Sequence, residues 1–407
     1  MNQLQQSFPI RRILGRVLLP ACVAGLLVAG CGGGGGDAGP ASGGTGAAAG
    51  TFAAGPITGF GSVIVNGVRF DDSTAVVTDD EGGASSKDAL RLGMTAEVRA
   101  GKVTDDGSGP RAKADGITFG AALVGPVSAV DAVAKSLVVL GQRVLVLDTT
   151  VLDNRLTGGF AGISVGMLVE VHGTLDASTG VVTATRIEPT AAAAGFRLRG
   201  IVTALDTVAK TFRIGGALIS YAGVTMVPAD LANGLLLRVR VQTAQVGGAW
   251  VATRLGAAHP HVEDADEADL KGSITAFTST AAFSVNGIPV DASAAIFAGG
   301  TAGIVLGAQV EVEGTSLNGT VIAKRVSVET HEARRAEGFE LHGTVSALDT
   351  TAKTFVLRNV TVNYGAAGVE FRHGTAAQLA NGVQLETRGT LSADGSTLAA
   401  TRISFGD

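Results

Sequence analysis

The chain has 407 residues, more than one ordinary hydrophobic core accommodates, so several domains are expected. Glycine is abundant, aromatic residues make up 4% and charged residues 16%, and the formal net charge is −5. There is no basic block to track a phosphate backbone and there are few rings to stack on bases, which argues against nucleic acid as a partner. After the N-terminal segment, no run approaches the roughly 20 uninterrupted apolar residues of a membrane-spanning helix.

The chain opens with a basic stretch containing Arg11, Arg12 and Arg16, followed by the apolar run VLLPACVAGLLVAGC at 17–31. Basic, apolar and small-residue segments in that order make a secretory signal. Its end, Val28-Ala29-Gly30-Cys31, matches a bacterial lipobox and resembles substrates of the lipoprotein signal peptidase, which cuts before a Cys whose thiol has been acylated. Residues 1–30 are therefore expected to be a leader removed between Gly30 and Cys31, with Cys31 as the lipidation site and the lipid as the contact with the membrane. The other cysteine, Cys22, falls inside the removed leader, so the mature chain has no disulfide despite an oxidising compartment. Losing three Arg and no acid moves the net charge to −8. Position 32 is Gly and not the Asp that resembles an inner-membrane retention signal, so the outer membrane is the expected location. Residues 31–54 are Gly, Ala and Ser with almost no large apolar side chain, and read as a flexible tether.

From residue 55 one pattern recurs: GPITGF at 55, GPVSAV at 125, GIVTAL at 200, GSITAF at 272 and GTVSAL at 343, at intervals of 70, 75, 72 and 71 residues. A fixed period of this kind predicts an array of units. The spans are 55–120, 121–190, 196–256, 271–329 and 338–407, with an acidic, His-containing linker at 257–270. Later in each unit come segments such as SVGMLVEVHG at 164–173, VLGAQVEVEG at 305–314 and ANGVQLETRG at 380–389. A closing stretch follows, seen as Ala184-Thr-Arg-Ile, Ala252-Thr-Arg-Leu, Ala323-Lys-Arg-Val and Ala400-Thr-Arg-Ile. The first unit is looser, with GMTAEVRAG at 93–101 and AKADGI at 112–117. Period-two alternation, Val/Ile/Thr enrichment and Gly/Asp/Asn punctuation predict short antiparallel strands joined by tight turns. The fold class is all-β: five tandem small antiparallel modules, each a small closed barrel or a sandwich, since closure hides sheet edges. Short helical turns are expected at 227–234 and 373–382.

Between the first and second strands lie VDAVAKSL at 130, TALDTVAKTF at 203 and SALDTTAKTF at 346. The pairs Asp131/Lys135, Asp206/Lys210 and Asp349/Lys353 read as one repeated turn, since Asp accepts backbone N–H bonds. A catalytic pair would not be expected to recur in three hairpins and vanish from the fourth, where AFTSTAAF stands at 276–283. These units resemble the bacterial family called Domain of Unknown Function 5666, on the strength of GxVxALD, LxxGxxVEVxG and the closing AxRI. The resemblance covers everything after residue 55, implies a barrel reminiscent of an OB-fold, and implies no activity.

No P-loop, dinucleotide fingerprint, HExxH helix or nucleophile elbow is present, so neither an enzyme nor a cofactor is expected. In HPHVEDADEAD at 259–269, His259, His261, Glu263, Asp264 and Asp266 offer divalent-cation ligands, but the stretch also reads as a solvated linker whose charges hold modules apart. The charged stretch 329–337 reads the same way. The acids at 71–72 and 79–81 do not follow a calcium-loop spacing and are expected at an exposed hairpin tip. Tyr221 and Trp250 lie in one unit and could form a ligand contact, but Trp250 precedes the closing strand and is expected in a core or at an edge. Arg186, Arg254, Arg325 and Arg402 are expected to face outward or to pair with Glu170, Glu311 and Glu386. These features together suggest a non-enzymatic, lipid-anchored envelope protein acting as a spacer, scaffold or multivalent binding array, with a polysaccharide- or small-ligand-binding protein using OB-like grooves as the alternative, and with protein or polysaccharide as the possible partner.

Overall fold

The computed structural model describes residues 50–407, apart from 108, 192, 258–261, 393–396 and 407. The leader, Gly30, Cys31, His259 and His261 lie outside the described residues. Strands Leu123–Asp131, Ser136–Val139, Gln142–Leu152, Leu168–Asp176 and Val181–Pro189 show the repeating plan. The first pairs antiparallel with the second and the second with the third; the third lies parallel to the fifth. The fourth runs antiparallel to both the fifth and the first, and the ring closes. The same order closes the strands between Gly50 and Phe119 and between Phe196 and Ala257. It recurs from Ala265 to Val328 and from Phe339 to Phe405. Among the described residues the chain is thus all-β, built of small closed five-stranded rings, numbered here one to five in chain order. This is the Greek-key order of an OB-type barrel.

The repeated decapeptide makes the first hairpin of a ring. Asp206 Oδ1 accepts from the N–H groups of Val208 and Ala209 at 2.9 and 2.8 Å, and Asp349 and Asp131 do the same. Lys135, Lys210 and Lys353 then take φ of 44, 55 and 53°, the left-handed turn residue that brings the chain back. Two residues on, Phe212 and Phe355 fill the ring interior at 0% exposure, with Leu137 in the same place in ring two. Turn chemistry and core filling are thus encoded in the same ten residues. Short hairpins follow at Asn66-Gly67, Leu140-Gly141 and Asn286-Gly287, all with positive φ at both positions, as two-residue turns require.

The glycine ending VEVHG, VEVEG and LETRG has a steric cause. Gly173, Gly314 and Gly389 sit at bulges where the fourth strand crosses the fifth. A Cβ there would lie 2.3, 2.1 and 2.2 Å from the carbonyl oxygens of Thr183, Ile322 and Ala399. Backbone meets backbone, and no side-chain rotation could relieve the clash.

The stretches read as a flexible tether and as solvated linkers are partly structured, and residues 50–54 of the expected tether belong to the first strand of ring one, Gly50–Phe60. The opening strand of ring four begins at Ala265, and residues 331–337 form an α-helix, His331–Glu337, capped by the Thr330 side chain. Strand formation follows from an available edge: Thr51–Ala54 of ring one pair in parallel with Glu267–Leu270. The turn expected at 373–382 appears as the 3-10 segment Ala376–Gln378 with a Thr375/Gln378 capping box, whereas 227–234 forms turns without a helix. Apolar packing also crosses between rings. Rings two and three share one core, rings one and five another, and Phe52 and Ala54 of ring one join that of ring four.

Replacing Gly314 by Ala should lower stability by about 1–3 kcal/mol through overpacking. Gly223→Ala, where an added Cβ meets nothing within 4 Å, should leave it unchanged or slightly raised. The shift of the urea midpoint for the two variants, measured side by side, checks this.

Candidate functional site

Of the residues proposed as cation ligands, Glu263 pairs with Arg99 of ring one at 2.7 Å and its carbonyl accepts from Ser316. Asp264 accepts from the N–H of Asn318 at 2.6 Å, and Asp266 is exposed. Among the described residues no three of His, Cys, Asp and Glu stand close enough to hold a metal ion. Tyr221 is buried with its ring tilted 36° against that of Phe212, and Trp250 meets Phe196 edge-on.

Arg186 corrects the expectation for the repeated arginine. It is buried, and it binds Asp153 at 2.5 Å and Glu188 at 2.8 Å rather than Glu170, while also donating to the Leu92 carbonyl of ring one. Ring one has docked over this position, so the side chain cannot face water. Arg254 and Arg325 are exposed, and Arg402 pairs with Glu370. Of the three expected glutamates, Glu170 takes His172, Glu311 takes Lys271, and Glu386 takes His342 and Arg388.

The acids at 79–81 are not an exposed tip. Asp80 pairs with Arg238 at 2.7 Å and Arg197 at 3.7 Å, and Glu81 with Arg240 at 3.1 Å. The arginines come from ring three, where FRLRG at 196–200 and LRVRV at 237–241 run antiparallel, setting Arg197 beside Arg240 and Arg199 beside Arg238. Alternation puts all four on the outer face of that ring. The opposed R-x-R runs are a signal that could have been found in the sequence, although nothing in either run identifies the hairpin as its partner. The cavity left between hairpin and arginines is only about 40 Å³. Asp80 and Glu81 therefore occupy most of the anion-binding capacity of this face.

Other junctions around ring one are charged as well. Asn66 donates to the backbone and carboxylate of Asp269 at 3.1 Å, fastening ring one to ring four. Arg69 joins Glu340 of ring five at 2.5 Å, beside the parallel pairing of Gly59 and Phe60 with Glu340 and Leu341. Lys271 is buried against Glu337 of the helix, and His331 and Arg335 of that helix hold Asp148 of ring two at 2.8 and 2.9 Å.

Burial pushes two junction carboxyls far up: Glu97, near Arg199 and Arg238, to about 7, and Asp269, near Glu311 and Lys271, to about 8. Glu386 moves the other way, held at about 2 chiefly by its hydrogen bond from His342. The arrangement can bind, orient and lock charged surfaces.

Residues 124–188, 271–327 and 342–404 match the family described as Domain of unknown function (DUF5666). These stretches coincide with rings two, four and five. No curated protein matches the chain.

The junction carboxyls predict a pH dependence. The folded chain keeps protons on Glu97 and Asp269 where the unfolded chain, titrating near 4.5 and 3.8, has released them. Their contribution is complete below those values and is lost as pH rises through about 7 and 8. The thermal midpoint should fall between pH 5 and pH 8.5, and the Glu97→Gln, Asp269→Asn double variant should flatten that slope.

A charge swap tests the hairpin contact. Arg238→Glu should lower hydrogen-exchange protection of amides 77–85 by at least tenfold. Adding Asp80→Lys in the same chain should restore most of it, as expected of a coupled pair.

Proposed function

We propose that the chain is a non-enzymatic, lipid-anchored protein of the bacterial cell envelope. In this reading all its rings are copies of the DUF5666 unit and act together as a scaffold or spacer at the outer membrane. The observation that carries the proposal is the docking of ring upon ring through strand pairing and charged junctions. Leu198 of ring three pairs with Leu123 of ring two, and ring one pairs in parallel with rings four and five. Independent binding domains gain avidity by swinging on linkers, whereas rings fastened in this way present fixed surfaces. The lipobox and the Gly/Ala tether support a body held away from the membrane by its N-terminus.

A second reading, a receptor for a polysaccharide or small envelope ligand, draws on the clefts between rings. One of about 730 Å³, where ring one faces Glu386 of ring five, is lined by Arg69, Lys102, Arg111 and Lys113 together with the carboxylates of Asp71 and Glu386. The ring aromatics Phe70, Phe212 and Phe355 are fully buried. A ligand in such a cleft would be held by charge and hydrogen bonds in place of stacking.

Cys31→Ser should move the protein from the membrane fraction to a soluble or unprocessed form, read by fractionation and by the mass of the N-terminus. A variant that stays membrane-bound and correctly processed would overturn the lipid-anchor reading.

A further inference from the structure

A cavity of about 330 Å³ lies where rings one, two and five meet, a volume at the lower end of ligand pockets. Four guanidinium groups line it: Arg91 from ring one, Arg155 and Arg186 from ring two, and Arg358 from the second hairpin of ring five. Two of them are balanced. Asp153 takes Arg155 at 2.7 Å and Arg186 at 2.5 Å, and Glu188 takes Arg186 at 2.8 Å and lies 3.8 Å from Arg155. Among the described residues the other two have no carboxylate partner: Arg91 donates to the carbonyls of Asp88 and Leu90, and Arg358 donates to that of His342 at 2.7 Å and lies over the Phe60 ring at 5.3 Å.

The cavity therefore carries two positive charges beyond its own acids, in a chain whose net charge is −5. Arg186 is 4% exposed and, held by Asp153, Glu188 and the Leu92 carbonyl, is a fixed part of the wall. The Asn154 and Asn359 side chains add amide groups, while Leu92, Val151 and Val360 supply apolar wall. A planar, permanently charged fork suits the paired oxygens of a carboxylate or phosphate, and several forks around a partly apolar space suit an organic anion better than a bare ion.

We propose that this three-ring cavity binds a small organic dianion, a phosphomonoester or a dicarboxylate. The inference builds on the ligand-receptor reading above and is independent of the lipid anchor. Binding would bridge three rings at one point, so it should also tighten their docking.

The test is calorimetric titration of the purified full-length chain at pH 7.5 with glycerol 1-phosphate, succinate, inorganic phosphate and neutral glycerol. One or both organic dianions should bind, with inorganic phosphate weaker and glycerol silent. The pattern between glycerol 1-phosphate and succinate assigns the source of the charge. Arg91→Gln and Arg358→Gln should each weaken binding at least tenfold. Neither group has a carboxylate partner, so neither variant strands a buried charge, and an unchanged circular dichroism spectrum and melting midpoint without ligand confirm folding. No heat from either dianion up to 10 mM on the order of ordinary weak binding, or equal affinity in both variants, would overturn the proposal. Failure here with correct Cys31-dependent fractionation leaves the envelope-scaffold reading standing, and the reverse result separates the two in the other direction.

Discussion

Each ring depends on one pairing, the parallel contact between its third and fifth strands. Parallel neighbours cannot be joined by a tight turn, so the chain must travel over the end of the barrel before it returns. The crossing segment does so carrying Leu156 and Ile163 in ring two, Tyr221 in ring three, Ile304 in ring four and Leu379 in ring five, all buried. It thereby plugs the barrel end, and the fourth strand that follows is left to close against the first. With closure the edges of a short, twisted sheet are removed, and ring interiors can be filled by single large residues such as Phe212 or Phe355. The bulge glycines belong to the same constraint, because the fourth strand must pass close to the fifth to complete the circuit.

Closed rings have polar outer faces, and the polarity of those faces governs their association. Ring three turns four arginines outward; ring one answers with Asp80, Glu81 and the half-buried Glu97. Taking these groups out of water is costly, and paired geometry only offsets the cost where several donors converge. The raised carboxyls Glu97 and Asp269 mark places where the offset is incomplete, so that protonation and docking favour each other. The charged groups that align rings one, two and five also line the cavity where those three rings meet.

The local half of this architecture is legible in the residues. Asp206, Lys210 and Phe212 announce a turn, a left-handed residue and a core plug within one decapeptide, each acting on its immediate neighbours. The Gly-ended fourth strands and the closing AxRI strands are equally local. Among the candidate cation ligands, Glu263 and Asp264 are engaged by Arg99 and the Asn318 backbone, partners that no local pattern marks. Arg186 misled for a similar reason. Its place on the closing strand is repeated in other rings, but its burial comes from ring one seated above it.

The sequence by itself determined the period, the strands, the turn chemistry and the closed all-β rings, since alternation and turn residues operate over a few positions. Only the tertiary structure decided which charges meet. Arg238 reaches Asp80 across 158 residues, and Arg186 reaches Leu92 across 94. Such partners are selected by the rigid seating of one closed ring on another. A surface charge carries no local mark of the face it will be pressed against.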